Sequence, residues 1–115
     1  KSSLDIPLVA LQDGLIAGIA WGKIEIEKPQ IANLYQMWVS PSYRGKGIGL
    51  ALLTKFKEWA IQSDARSLRL DVTVNNGRAH HLYNSFGFVN SGALKPLREG
   101  SSTRMQKMLL ALKNA

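Results

Sequence analysis

Residues 39–50 read Val-Ser-Pro-Ser-Tyr-Arg-Gly-Lys-Gly-Ile-Gly-Leu, and this stretch decides how the rest of the chain is read. Upstream, Leu34–Val39 is too apolar and aromatic for a loop and reads as a third, largely buried strand. Ser40-Pro41 ends that strand, because proline brings no ladder donor. Downstream, Ile48, Leu52, Leu53, Phe56, Trp59 and Ala60 recur at spacings of three and four, the stripe of an amphipathic helix of about four turns. Between strand and helix stand Gly45, Gly47 and Gly49, with Arg44 and Lys46 among them. Glycine lets the backbone bend tightly and lets a ligand reach peptide N–H groups with no Cβ in the way. The first helical turn adds unpaired donors and the positive end of the helix dipole. Together these features suit a pyrophosphate-like anion, against the plainer reading of a turn and a helix start. Two other phosphate loops are excluded by spacing. Gly-x-Gly-x-x-Gly fails at Leu50, and Gly-x-x-x-x-Gly-Lys-Ser/Thr has no match.

Working outward, Leu8–Leu11 and Leu15–Trp21 are apolar runs joined through Gln12-Asp13-Gly14, a hairpin signal. Lys23-Ile24-Glu25-Ile26-Glu27 alternates and extends the second strand with one wet face, and Lys28-Pro29-Gln30 breaks it. Residues 65–75 form the next strand, with Leu68, Leu70, Val72 and Val74 on one face and Arg69, Asp71, Thr73 and Asn75 on the other. Asn76-Gly77 turns the chain into a short helix through Ala79, Leu82, Tyr83 and Phe86, which Gly87 ends in the left-handed conformation. Phe88-Val89 starts a strand, residues 90–102 form a loop, and Thr103–Leu110 is a closing strand. The order β-β-β-α-β-α-β-β predicts a mixed α/β or α+β layer in a single domain over residues 1–115.

Composition sets the outer bounds. The 115 residues are 45% hydrophobic and 20% charged, the balance of a folded domain rather than a disordered tail. No apolar run approaches the ~18 residues of a membrane-spanning helix. With zero cysteines there is no disulfide framework, thiol nucleophile or cysteine-held metal, and a reducing, cytoplasmic setting is the expectation. No metal site is expected either, since the neighbouring His80 and His81 point ~100° apart on a helix. The net charge of +7 is uneven: residues 1–65 hold seven basic and six acidic groups, residues 66–115 eight and two. A polyanionic partner and a solvated basic surface both fit that excess. The cations form no dense run and no aromatic ladder, so nucleic acid is not the favoured partner.

Arg44-x-x-Gly47-x-Gly49, following Val39-Ser40-Pro41, resembles the acyl-CoA binding motif of the GNAT superfamily of N-acetyltransferases. A second block, Asn76-x-x-Ala79-x-x-Leu82-Tyr83-x-x-Phe86-Gly87-Phe88, resembles the superfamily's other signature. Both blocks are in the right order and on the right elements, and the likeness spans roughly residues 8–110. It implies a mixed, mostly antiparallel sheet flanked by helices. It also implies acetyl-CoA as acyl donor and a primary amine of a small molecule or protein as acceptor, reacting by direct attack on the thioester.

The resemblance carries residue roles with it. Met37, Trp38 and Val39 would splay from residues 70–74 and offer backbone donors to the pantetheine arm and thioester oxygen. Arg44, Gly45, Lys46, Gly47, Ile48, Gly49 and Leu50 would hold the pyrophosphate, and Asn76 the pantetheine region. Tyr83 would supply a proton to the leaving thiolate, unless its ring merely packs between Leu82 and Phe86. Asp71 is the first choice as general base, with Glu25 or a water as alternatives and a salt bridge as its plainer role. Relative to the family pattern, the chain starts near the second strand and lacks a leading strand and two helices. The expectation is an N-terminally truncated domain, whose open sheet edge is covered by a leading segment or by a second subunit, as in a homodimer. A catalytically weak acyl-CoA-binding module is the alternative function.

Overall fold

A computed structural model of the chain describes residues 3–112. Its strands are β1 (Ser3–Gln12), β2 (Leu15–Glu25), β3 (Ile31–Val39), β4 (Ser67–Thr73), β5 (Val89–Asn90), β6 (Lys95–Pro96) and β7 (Arg104–Ala111). Helix α1 (Ile48–Gln62) joins β3 to β4, and α2 (Gly77–Phe86) joins β4 to β5. The seven strands form one sheet in the order β1-β2-β3-β4-β7-β5, with β6 on β7. Only the β3–β4 pairing is parallel, so this is the mixed, mostly antiparallel α+β architecture that the sequence implies.

The β1–β2 turn is built as the Asp13-Gly14 signal requires, with φ of +52° and +79° at its two central residues. Several boundaries differ from the sequence expectation. Strand β1 begins at Ser3 rather than Leu8, and β3 at Ile31 rather than Leu34. Strand β2 ends at Glu25, where Lys28 N–H donates to the Glu25 carbonyl at 3.0 Å and closes a turn. Ile26 therefore leaves the alternation and is exposed. Likewise β4 stops at Thr73, so Val74 lies outside the ladder and is exposed rather than sharing the buried face of Leu68, Leu70 and Val72. The 90–102 segment is not all loop, because Lys95 and Pro96 pair with Met105 and Arg104.

Both helices pack on one face of the sheet. A Cβ on Gly18 would lie 2.9 Å from Ile48 Cγ2, and one on Gly22 would lie 2.8 Å from both Ile6 Cγ2 and Trp59 Cζ3. A Cβ on Gly49 would meet Leu82 Cδ2 at 2.8 Å, so α1 and α2 touch at their adjoining ends. Phe56, Phe88, Leu53, Leu68 and Met108 are the largest fully buried side chains of the single core beneath them. The opposite face of β1–β3 carries Val9, Ile19, Trp21, Tyr35 and Trp38 in cross-strand rows, all partly exposed. No helix covers it among the described residues.

The glycines of β2 are packing devices, and that is testable. Gly22→Ala should cost about 1–3 kcal/mol of stability, since its methyl has no free space between Ile6 and Trp59. Urea denaturation of the purified variant measures this, and an unchanged midpoint would show that α1 can move away.

Candidate functional site

The parallel pairing of β3 with β4 lasts only three residue pairs, Ile31↔Ser67, Ala32↔Leu68 and Asn33↔Arg69. Beyond Asn33 the two strands run on to Val39 and Thr73 without pairing, so the sheet opens in its middle. A bulge drives them apart. Between the pairs Trp21↔Tyr35 and Ile19↔Trp38, β3 holds one residue more than β2, and Gln36 there has φ +57°. Left-handed backbone is unusual for a residue with a Cβ and bends the strand at this point. Gln36 is the one polar residue inside the apolar run 34–39, the only sequence signal of a bulge.

The opening is a cleft of about 230 Å³ lined by Gln36 and Met37 on one lip and Asp71 and Thr73 on the other. Asn76, Ala79 and Tyr83 of the α2 segment close its helix side, and Met105 of β7 adds a wall that the sequence reading missed. Asp71 alternates with the buried Leu70 and Val72, so it stands on the face away from the helices. The cleft thus passes through the sheet, with Tyr83 reached from the helix side and Asp71 from the open side.

On the helix side the glycine loop abuts the β3 lip. A Cβ on Gly49 would sit 3.5 Å from Met37 Cε and 3.8 Å from Val39 Cγ2. Gly45 (φ +78°) and Gly47 (φ +79°) adopt left-handed backbone, and a Cβ on either would meet nothing within 4 Å. Their Cβ positions thus face an open cradle at the start of α1. The first bond of α1 is Ala51 N–H to the Gly47 carbonyl at 3.0 Å, which leaves the amides of Ile48, Gly49 and Leu50 without an intrahelical acceptor. Arg44 and Lys46 are exposed at the rim, the Lys46 ammonium 5.6 Å from the Tyr43 ring centroid. Phosphate oxygens of a CoA-type ligand fit this donor set in charge and hydrogen-bond sense.

The remaining predicted residues divide. Met37 lines the cleft with its side chain, whereas Trp38 points to the open face opposite Ile19 and Val39 packs towards Gly49. Asn76 lines the cleft and also caps α2, its Oδ1 accepting from Ala79 N–H at 3.2 Å. Asp71 forms an ion pair with Arg69 Nη2 at 3.6 Å and also lines the cleft. Glu25 is not part of the cleft. It ends β2 beyond the Lys23↔Asn33 pair, roughly 17 Å along the ladder from the bulge. His80 bonds Asn90 Oδ1 at 3.0 Å, and no cluster able to hold a metal occurs among the described residues.

Tyr83 is 6% exposed, its ring edge-on to Phe88 with centroids 6.0 Å apart. Burial pushes its pKa up to about 12 from 10. Burial thus makes Tyr83 a weaker acid than a free tyrosine, and a poorer proton donor. A hydrogen bond donated towards a thiolate remains within its reach, and it keeps its proton throughout the neutral range.

These features are those of an acetyltransferase fold. The chain belongs to the GNAT acetyltransferase family: the model of that family matches residues 2–88. An uncharacterised N-acetyltransferase of Methanocaldococcus jannaschii is 37% identical over 70 residues, covering 61% of this chain and 31% of the relative. Among solved structures, a nourseothricin acetyltransferase superposes with a TM-score of 0.86 at 28% identity, over 95% of this chain and 66% of its own. A Bacillus anthracis acetyltransferase structure in complex with acetyl coenzyme A gives 0.83 at 25% identity, over 95% and 63%. The chain thus spans under two thirds of each of these proteins. No helix among the described residues is long and apolar enough to cross a membrane.

Two predictions follow from the geometry. Gly47→Val combines backbone strain with bulk, so Gly47→Asn is the cleaner probe, since asparagine tolerates left-handed backbone. Calorimetry should show CoA affinity reduced at least about tenfold in Gly47→Asn with the thermal midpoint nearly kept, if the cradle holds phosphate. Second, the raised folded pKa of Tyr83 means its contribution to stability is complete below pH 10 and lost as pH rises towards 12. The denaturation midpoint of wild type should therefore fall relative to that of Tyr83→Phe across that window.

Proposed function

We propose that the chain transfers an acetyl group from acetyl-CoA to a primary amine, of a small molecule or a protein, by direct attack of the amine on the thioester. One observation carries this reading. The β3–β4 cleft joins a phosphate-type cradle and a buried tyrosine on one face to a carboxylate on the other. Two substrates approaching from opposite faces can meet only there.

When bound, acetyl-CoA supplies an activated acyl group and a thiolate leaving group. The chain's own residues do the rest. The amides of Gly45 to Leu50, with Arg44 and Lys46, hold the pyrophosphate and fix the register of the donor. Backbone donors of Met37–Val39 on the side that faces β4, where pairing has ended, hold the pantetheine arm and polarise the acyl oxygen, and Asn76 adds a side-chain contact. Such donors are fixed before the ligand arrives, and losing one elsewhere costs ~3–4 kcal/mol of transition-state stabilisation. Asp71 takes a proton from the incoming ammonium, directly or through a water, and Arg69 holds its carboxylate at the cleft. Tyr83 donates a hydrogen bond to the departing sulfur, which takes up the second proton that the nitrogen releases on becoming an amide. The cysteine-free sequence suits a cytoplasmic setting for this reaction.

A thiol-release assay with acetyl-CoA and pooled amines tests the proposal. Tyr83→Phe should lower kcat by about ten- to a hundredfold with little change in the KM for acetyl-CoA, a loss confined to the transition state. Asp71→Asn should lower kcat comparably. CoA binding without thiol release in the wild type would leave an acyl-CoA-binding module and remove the enzyme.

A further inference from the structure

We infer that Gln36 and Thr73 bind the acceptor nitrogen, so that with Asp71 they surround it by three hydrogen-bond acceptors and restrict transfer to primary amines. The inference rests on the proposed transfer reaction and names the residues that select its second substrate.

Both residues line the transfer cleft, Gln36 from the β3 lip and Thr73 from the β4 lip that also carries Asp71. Asp71 and Thr73 alternate with the buried Leu70 and Val72, so they share the face of β4 away from the helices. Two positions apart on a strand, they stand roughly 6.6 Å from each other at Cα, within side-chain reach of one atom between them. The other polar side chain of the cleft is spent: Asn76 Oδ1 accepts from Ala79 N–H. Gln36 and Thr73 make no side-chain hydrogen bond among the described residues, so both keep their acceptors for an occupant.

The backbone holds both residues in place. Thr73 pairs with Met105, and its carbonyl accepts from Asn76 N–H at 3.0 Å. Gln36 is fixed on either side by the pairs Trp21↔Tyr35 and Ile19↔Trp38, in left-handed backbone that is unfavourable for a residue with a Cβ. Strain held at the wall of a reaction cleft points to a side chain whose direction matters.

The chemistry of the nitrogen sets the selection. A primary ammonium has three N–H groups. Asp71 takes one proton, which leaves two N–H groups and a lone pair. Gln36 Oε1 and Thr73 Oγ1 accept from the two N–H groups, and this aims the lone pair at the acyl carbon. The lone pair then forms the N–C bond, and the C–S bond breaks with its electrons going to sulfur. The second proton shed by the nitrogen ends on that sulfur. A secondary amine has a single N–H at this stage and leaves one acceptor unpaired in the cleft. All three acceptors are walls of the cleft, so the selection does not depend on what lies over the outer face of β1–β3.

The test uses amines small enough to enter the cleft without the body of an acceptor, methylamine and dimethylamine. Thiol release from acetyl-CoA is measured at matched free-base concentrations and corrected for the uncatalysed reaction. Methylamine should react about tenfold faster than dimethylamine. Thr73→Val, which removes the hydroxyl at nearly constant volume, and Gln36→Met should each lower the methylamine rate about tenfold with CoA affinity unchanged. Neither should move the dimethylamine rate more than about twofold, because one acceptor suffices for its one N–H. Thr73→Ser should keep the preference for methylamine. Should Gln36→Met disturb the bulge, Thr73→Val decides. In parallel, the Gln36 side-chain amide is followed by NMR in the CoA-saturated chain during titration with methylammonium, and with tetramethylammonium, which has no N–H. A saturable shift with methylammonium alone is expected. Equal rates for the two amines, a methylamine rate unchanged in Thr73→Val, or equal shifts with both cations would overturn the inference. A shift specific to methylammonium without thiol release would keep the nitrogen site and overturn the proposed reaction, so the two failures are distinguishable.

Discussion

Everything the site does depends on a backbone pairing that stops. Strands β3 and β4 hydrogen-bond through Asn33 and Arg69 and then separate, each running on without the other. Unpaired backbone N–H and C=O groups in the middle of a sheet are costly unless something else satisfies them. In this chain they face a cleft instead of a neighbouring strand. The left-handed Gln36 is where that gap is imposed, because its extra residue turns the upper half of β3 away. Strain of this kind persists only where the surroundings enforce it. Here the enforcing partners are β2 on one side, which re-pairs beyond the bulge, and α1, whose first turn packs against Met37 and Val39 at Gly49.

The glycines fall into two groups that the sequence presents alike. Gly18, Gly22 and Gly49 are small because something else occupies the space a side chain would take. Gly45 and Gly47 are glycines for the opposite reason: their backbone is left-handed and the space beside them is open. Gly49 belongs to the motif that suggested a phosphate loop, yet its missing Cβ serves the contact of α1 with Leu82 of α2. That contact brings the α2 segment, and with it Asn76 and Tyr83, to the helix side of the cleft. The motif therefore encodes both the cradle and the placement of the residues that face it.

Much of the fold was legible because it rests on local signals. Asp13-Gly14 set the first hairpin, the spacing of Leu52, Leu53, Phe56 and Ala60 set α1, and Gly87 set the end of α2. The misplaced ends have non-local causes. Ser3–Pro7 is strand because β2 is long enough to pair with it, and β6 exists because β7 passes alongside. At the site, Asp71 and Tyr83 were assigned through the GNAT resemblance, and both line the cleft. Gln36 and Met105 were not found, since a bulge and a wall from a distant strand depend on pairing that a linear reading does not contain. The weakened acidity of Tyr83 has the same kind of origin, because its burial against Phe88 is a tertiary fact.

In the proposed function, the separated strands offer backbone donors to a thioester-bearing ligand. Amide hydrogen exchange, read residue by residue by NMR with and without acetyl-CoA, tests it most directly. Ile31 to Asn33 should be protected in both states, because they pair with β4 throughout. Amides of Met37 to Val39 that face the cleft should exchange fast in the free chain and slow at least about tenfold with ligand, together with those of Gly45 to Leu50. Protection along Met37–Val39 already complete in the free chain, or protection gained only at Gly45–Leu50, would contradict the account.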